Sequence, residues 1–151
     1  MKWKTFIFIL SLSLFLVGCS EKAYEPKEIN VETDICKVCN MGIAHEDYAA
    51  ELIFKNGDYE VFDDLGCLVE FLKDVDESEV GAAYIKSADG NEWLPVEDAT
   101  YVYSKDYWTP MNYGVLAFPS KDAAEQYMEE NGEGEVYSFE QLDDFQWGIH
   151  F

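Results

Sequence analysis

The dipeptide Asn56-Gly57, set between the apolar-rich runs YAAELIF and YEVF, commits this chain to a β-hairpin. Asn-Gly supplies the two positive-φ positions of a type I′ turn, whose twist matches that of the strands it joins. The residues after the hairpin are equally specific. Asp63-Asp64 offers carboxylate caps for a helix start. Leu65, Leu68, Val69 and Leu72 then recur at i, i+3, i+4 and i+7, which predicts an amphipathic helix of roughly ten residues. VGAAYIK (80–86) reads as a further strand and ADGN (88–91) as a turn.

The second half repeats this pattern more faintly. ATYVYS (99–104) reads as a strand, KDYWTPMNY (105–113) as a loop and GVLAF (114–118) as a strand. Pro119-Ser120 opens a helix over KDAAEQYMEE, with Ala124, Tyr127 and Met128 on one face and Asn131-Gly132 as its stop. EVYSF is a last strand. The sequence therefore predicts an α+β fold of two small ββαβ units, about 34–90 and 91–151, lying side by side with antiparallel pairing.

Ahead of this domain lies a different kind of sequence. Residues 1–18 carry Lys2 and Lys4 and then the apolar run TFIFILSLSLFLV, the anatomy of a secretory signal. The run ends in Leu16-Val17-Gly18-Cys19, which matches the lipobox of bacterial lipoproteins. Cleavage before Cys19 and diacylation of its sulfur are expected, since two acyl chains are what stable anchoring requires. Residues 19–33, with Pro26 and no apolar period, read as a flexible linker. The expected location is extracytoplasmic, lipid-anchored to the bacterial cell membrane.

Charge removes one class of partner. Asp and Glu total 31 against 10 cationic residues, every one a lysine, for a net charge of −21. Phosphate recognition needs cationic groups, so nucleic acid is excluded. An anionic lipid surface would repel the domain, leaving the acyl anchor to hold it. The acidity does not mean disorder, because aromatics make up 16% of the chain and suffice for a core.

There are four cysteines, and lipidation of Cys19 leaves Cys36, Cys39 and Cys67. Three is odd, so at least one thiol stays free or binds metal. The stretch ICKVCNMGI (35–43) admits several chemistries. A thioredoxin-type Cys-x-x-Cys needs a strand before it and a helix after it, and neither is present here. A Cys36–Cys39 disulfide is permitted by export. Zinc would require Cys36, Cys39, Cys67 and one of His45 or His150, but Cys67 lies on a helix where a small buried hydrophobe is expected.

Methionine carries the sharper signal. Met128 fits a helix face, whereas Met41 and Met111 fit no apolar period. A thioether beside a thiolate selects Cu(I) over harder ions. Cys39-x-Met41 brings two soft donors to one turn, and Met111, in WTPMNYG, would complete a three-coordinate sulfur site.

Taken together, the lipobox, DICKVCNM, the hairpin with YEVFDDLGC, WTPMNYG and the AF before the second helix make the chain resemble the NosL family, lipid-anchored copper-binding accessory proteins encoded with nitrous-oxide reductase. The resemblance implies two ββαβ units side by side. It also implies binding of Cu(I) outside the cytoplasmic membrane and its delivery to a copper enzyme, most readily apo nitrous-oxide reductase, through an ABC-type membrane complex. It implies no enzymatic activity. By position the implied ligands are Cys39, Met41 and Met111, with Cys36 and His45 as possible additions. Asn40 departs from the Cys-Gly-Met form expected at this place. The alternatives are a thiol–disulfide oxidoreductase using Cys36 and Cys39, or a structural zinc or disulfide lipoprotein.

Overall fold

The computed structural model describes residues 24–147. The leader, Cys19 and His150 lie outside that range. β1 (Ala50–Phe54) and β2 (Tyr59–Phe62) form the expected hairpin, followed by α1 (Leu65–Leu72) and β3 (Val80–Lys86). β4 (Trp93–Pro95) adds a short edge that the sequence pattern does not reveal. The second unit runs β5 (Thr100–Tyr103), β6 (Val115–Phe118), α2 (Lys121–Asn131) and β7 (Glu135–Tyr137). The sheets have the orders β2-β1-β3-β4 and β6-β5-β7, with every pairing antiparallel. Within each unit the first strand is central, flanked by its hairpin partner and by the strand after the helix. Among the described residues no helix is long and apolar enough to cross a membrane.

The hairpin turn differs from the expected type I′. Gly57 alone is left-handed (φ 95), Gly57 N donates to Phe54 O at 2.9 Å, and Phe54 N donates to Asp58 O at 2.8 Å. This is a three-residue loop, a type I turn followed by a left-handed glycine. Asn56 instead uses its side chain, accepting from Asp58 N at 2.9 Å.

The two units share one core. Leu52, Phe62, Leu65 and Leu68 of the first pack in a single buried cluster with Tyr101, Val115 and Ala117 of the second, together with Leu142 from the C-terminal segment. Each such apolar side chain contributes about 1.5–3 kcal/mol on burial. Ala88 N donates to Ala117 O at 2.9 Å, tying the turn after β3 to β6. α1 buries five of its residues, Leu65 to Val69, whereas α2 buries Ala124 alone.

Packing is also present ahead of residue 34, inside the segment that reads from sequence as linker. The Tyr84 hydroxyl donates to Tyr24 O at 2.7 Å, and Lys27 N donates to both carboxylate oxygens of the buried Glu51 at 3.0 and 3.2 Å. The Lys27 ammonium sits 3.4 Å from the centre of the Tyr59 ring. Ile29 packs against Ile43, Ala49 and Val61. These contacts use isolated anchors without periodicity, so the sequence pattern carries no sign of them.

Candidate metal centre

ICKVCNMG closes on itself as a tight loop. Ile35 pairs with Gly42 as an antiparallel bridge, Cys36 N donates to Met41 O at 2.8 Å, and Asn40 N donates to Cys36 O at 3.1 Å. Asn40 sits at φ 60, the left-handed region that asparagine and glycine tolerate best. Lys37 pins the loop to β2, through its N–H to Val61 O at 3.0 Å and its ammonium to Glu60 at 2.7 Å. The result turns Cys36 into the core, leaves Cys39 half-buried and exposes Met41 by 45%.

The β2–α1 junction supplies the remaining groups. Asp63 lies just before the helix, and Cys67 falls in its first turn. The sulfurs of Cys36, Cys39 and Cys67 and a carboxylate oxygen of Asp63 all lie within 4.8 Å of one another. All three cysteines are free thiols. The Cys39 thiol donates to Asp63 Oδ1 at 3.4 Å. Cys67 donates to Cys36, and this holds the Cys36 thiol down at about 6 while pushing that of Cys67 well above its usual range. Burial, reinforced by the neighbouring Cys36 and Asp63 charges, pushes the Cys39 thiol up to about 12. The first negative charge of the cluster thus resides on Cys36, and the other two protons leave readily only when a cation takes their place.

Cys67 is as buried as the expected small hydrophobe, at 1% exposed, and its sulfur also lies in the cluster. Of the two adjacent aspartates that could cap the helix, Asp64 does so, accepting from Gly66 N at 3.0 Å. Asp63 faces the thiols instead. The zinc alternative placed one of His45 or His150 beside the three cysteines. Among the described residues the cluster's fourth member is Asp63, and His45 does not belong to it. His45 is exposed and stacks edge-on against Trp108, ring centres 4.9 Å apart, with Tyr48 completing the trio.

The loop bearing Met111 is fixed from the other unit. Asp64, buried in the core, accepts from Met111 N at 3.2 Å and also takes the Thr109 hydroxyl. Burial dominates these bonds and raises its carboxyl above the ordinary value. The Thr109 oxygen in turn accepts from Tyr113 N at 3.1 Å and Gly114 N at 3.4 Å. Two left-handed residues, Asn112 (φ 59) and Gly114 (φ 70), turn the chain back into β6. Met111 is thereby held half-buried against the same core cluster that contains Cys36 and Cys67, with Val38 and Cys39 packed on it as well. Chemically, the cluster offers three thiols and one carboxylate, and the 36–41 and 104–114 loops each carry a thioether. That donor set suits a soft, monovalent or borderline metal.

A family model described as NosL matches residues 26–146. Among solved structures, the copper chaperone NosL from Shewanella denitrificans matches with a TM-score of 0.67 at 21% identity, covering 80% of this chain and 97% of that one. That likeness bears on the fold, and the antiparallel two-sheet α+β architecture agrees with it. Comparison with curated proteins gives no match. With the family model spanning both units and both sulfur loops, the chain belongs to the NosL family.

Proposed function

We propose that this protein is a membrane-anchored extracytoplasmic Cu(I) chaperone that holds one ion on Cys39, Met41 and Met111 and passes it to a copper enzyme, nitrous-oxide reductase being the first candidate, by way of an ABC-type membrane complex. It acts as an accessory protein and carries out no catalysis on the enzyme's substrate. The copper activity is taken from the family and from the copper chaperone of the same fold.

The observation that supports the reading is the cluster of three thiols and a carboxylate at the 36–41 loop. Cys39 sits at the rim of a thiol cluster, Met41 is exposed beside it, and Met111 is held against the same core by its hydrogen-bonded loop. One thiolate supplies charge and affinity. Two thioethers supply softness without charge, which keeps the ion exchangeable. Anchoring through Cys19 would keep the domain close to a membrane partner.

Anaerobic titration with Cu(I) against a chromogenic Cu(I) chelator tests this. Retention of Cu(I) by the chain is expected, weakened about 10–100-fold by Met111→Leu and more by Cys39→Ser. Retention indifferent to both changes would overturn the ligand assignment. Absence of any retention would overturn the chaperone reading.

A further inference from the structure

Cys36 and Cys67 are left without a task by that ligand set. Both are essentially inaccessible, at 0% and 1% exposed, in a cluster otherwise built of apolar side chains. They are not joined in a disulfide, and alanine or valine would fill such places without a reactive group. Asp63 is equally unexplained, because a carboxylate is a poor donor for Cu(I) and a good one for Cu(II).

We propose that Cys36 and Cys67 form an electron-donating dithiol that reduces Cu(II) arriving at Asp63 and Cys39 to the Cu(I) that Cys39, Met41 and Met111 hold. The inference rests on the Cu(I) reading above and adds an activity to it. Outside the cytoplasmic membrane copper is available as Cu(II), whereas the soft sulfur set selects Cu(I). A reductant built into the site closes that gap.

The pairing follows from burial and from the one thiol that is engaged elsewhere: Cys36 and Cys67 are both in the core, while the half-buried Cys39 donates to Asp63 at 3.4 Å. The two buried sulfurs lie within 4.8 Å, and side-chain rotation can close that distance to the roughly 2.05 Å of a disulfide. In one round, two Cu(II) ions each gain one electron. One S–S bond forms between Cys36 and Cys67, and the protons their sulfurs carry leave for solvent past the Asp63 carboxylate, one where Cys36 is already a thiolate and two where it is protonated. The products are two Cu(I), one Cys36–Cys67 disulfide and those protons. A small dithiol reductant would reset the pair by thiol–disulfide exchange.

The test uses the reduced, metal-free full-length chain under argon, mixed with copper(II) chloride and a Cu(I)-specific chromogenic chelator. Two chelated Cu(I) per chain are expected, as befits a two-electron couple. Trypsin then reports the connectivity, because Lys37 separates Cys36 from Cys39 and Lys55 separates both from Cys67. A cross-linked pair of peptides 28–37 and 56–73 is expected. Cys67→Ala should lower the Cu(I) yield about tenfold and still retain Cu(I) supplied directly. Cys39→Ser should fail to retain the ion and, because Cys39 is one of the two groups that receive Cu(II), should also slow the reduction, while any bridge that forms still joins Cys36 to Cys67.

No Cu(I) from the wild-type chain, a Cys36–Cys39 bridge, or an undiminished yield from Cys67→Ala would each overturn the proposal. If Cys67→Ala does not fold, the wild-type cross-link decides. Failure of the wild-type chain to retain directly supplied Cu(I) would instead strike the chaperone reading.

Discussion

The two ββαβ units share a strand order and differ in how they join their first two strands. β1 and β2 are linked by the minimal Lys55-Asn56-Gly57 turn, which carries no chemistry. β5 and β6 are linked by residues 104–114, a loop that folds back on Thr109 and presents Met111. In the first unit the sulfur loop lies instead ahead of β1, at 36–41. The repeated scaffold thus places the two sulfur-bearing loops at non-equivalent positions, and both pack against the shared core. Symmetry belongs to the sheets, and the donors of the proposed site lie where that symmetry fails.

Asp64 is the joint between the two halves. It caps α1 of the first unit and accepts from Met111 of the second. Asp64→Ala removes a helix cap and leaves two buried partners unsatisfied, at a cost of about 3 kcal/mol. Retention of Cu(I) should fall about 10–100-fold as well, because Met111 loses the group that orients it. Chemical denaturation and Cu(I) competition measure the two effects. A variant that loses stability and keeps its affinity would show that the Met111 loop stands without the first unit.

The next largest effect contrasts the two strand connections directly. Gly114 is left-handed, and a Cβ there would lie inside contact distance of the Ser104 carbonyl oxygen. Gly114→Ala should cost about 2 kcal/mol from backbone strain and the forced opening of the loop. Gly57 is also left-handed but has nothing within 4 Å of an added Cβ. Gly57→Ala should cost only about 1 kcal/mol and leave Cu(I) retention untouched. Equal costs at the two positions, measured by chemical denaturation, would mean that the long loop is no more constrained than a surface turn.

Much of the fold is legible in the chain. The hairpin site, both helices and the order of the strands follow from apolar periodicity and from caps that act locally. Met41 and Met111 stand out because they fit no period. Cys67 cannot be separated from core by that logic, since its helix position and its burial are those of a small hydrophobe. Only the tertiary approach of α1 to the 36–41 loop turns it into a cluster member. Asp63 and Asp64 are indistinguishable as sequence neighbours, and the pleat of the extended junction sends one to the thiols and the other to the helix. β4 is three residues long and Tyr24, Lys27 and Ile29 are isolated anchors, so none of them produces a periodic signal.

The smallest expected effect lies at Asn40, where the Cys-Asn-Met of this chain departs from Cys-Gly-Met. The backbone explains the exchange. At φ 60 the position is one that glycine occupies freely and asparagine tolerates better than other side chains. The Asn40 amide is exposed and reaches only Val38 O at 3.4 Å, a contact too long to contribute much. Asn40→Gly should therefore change stability by no more than about 0.5 kcal/mol and leave Cu(I) retention within about twofold. Asn40→Val should cost about 1–2 kcal/mol, since a β-branched side chain is forced against the following carbonyl. If Asn40→Gly instead weakened Cu(I) retention strongly, the amide would be acting on the metal, and the first loop would owe its function to a side chain where its geometry points to the backbone.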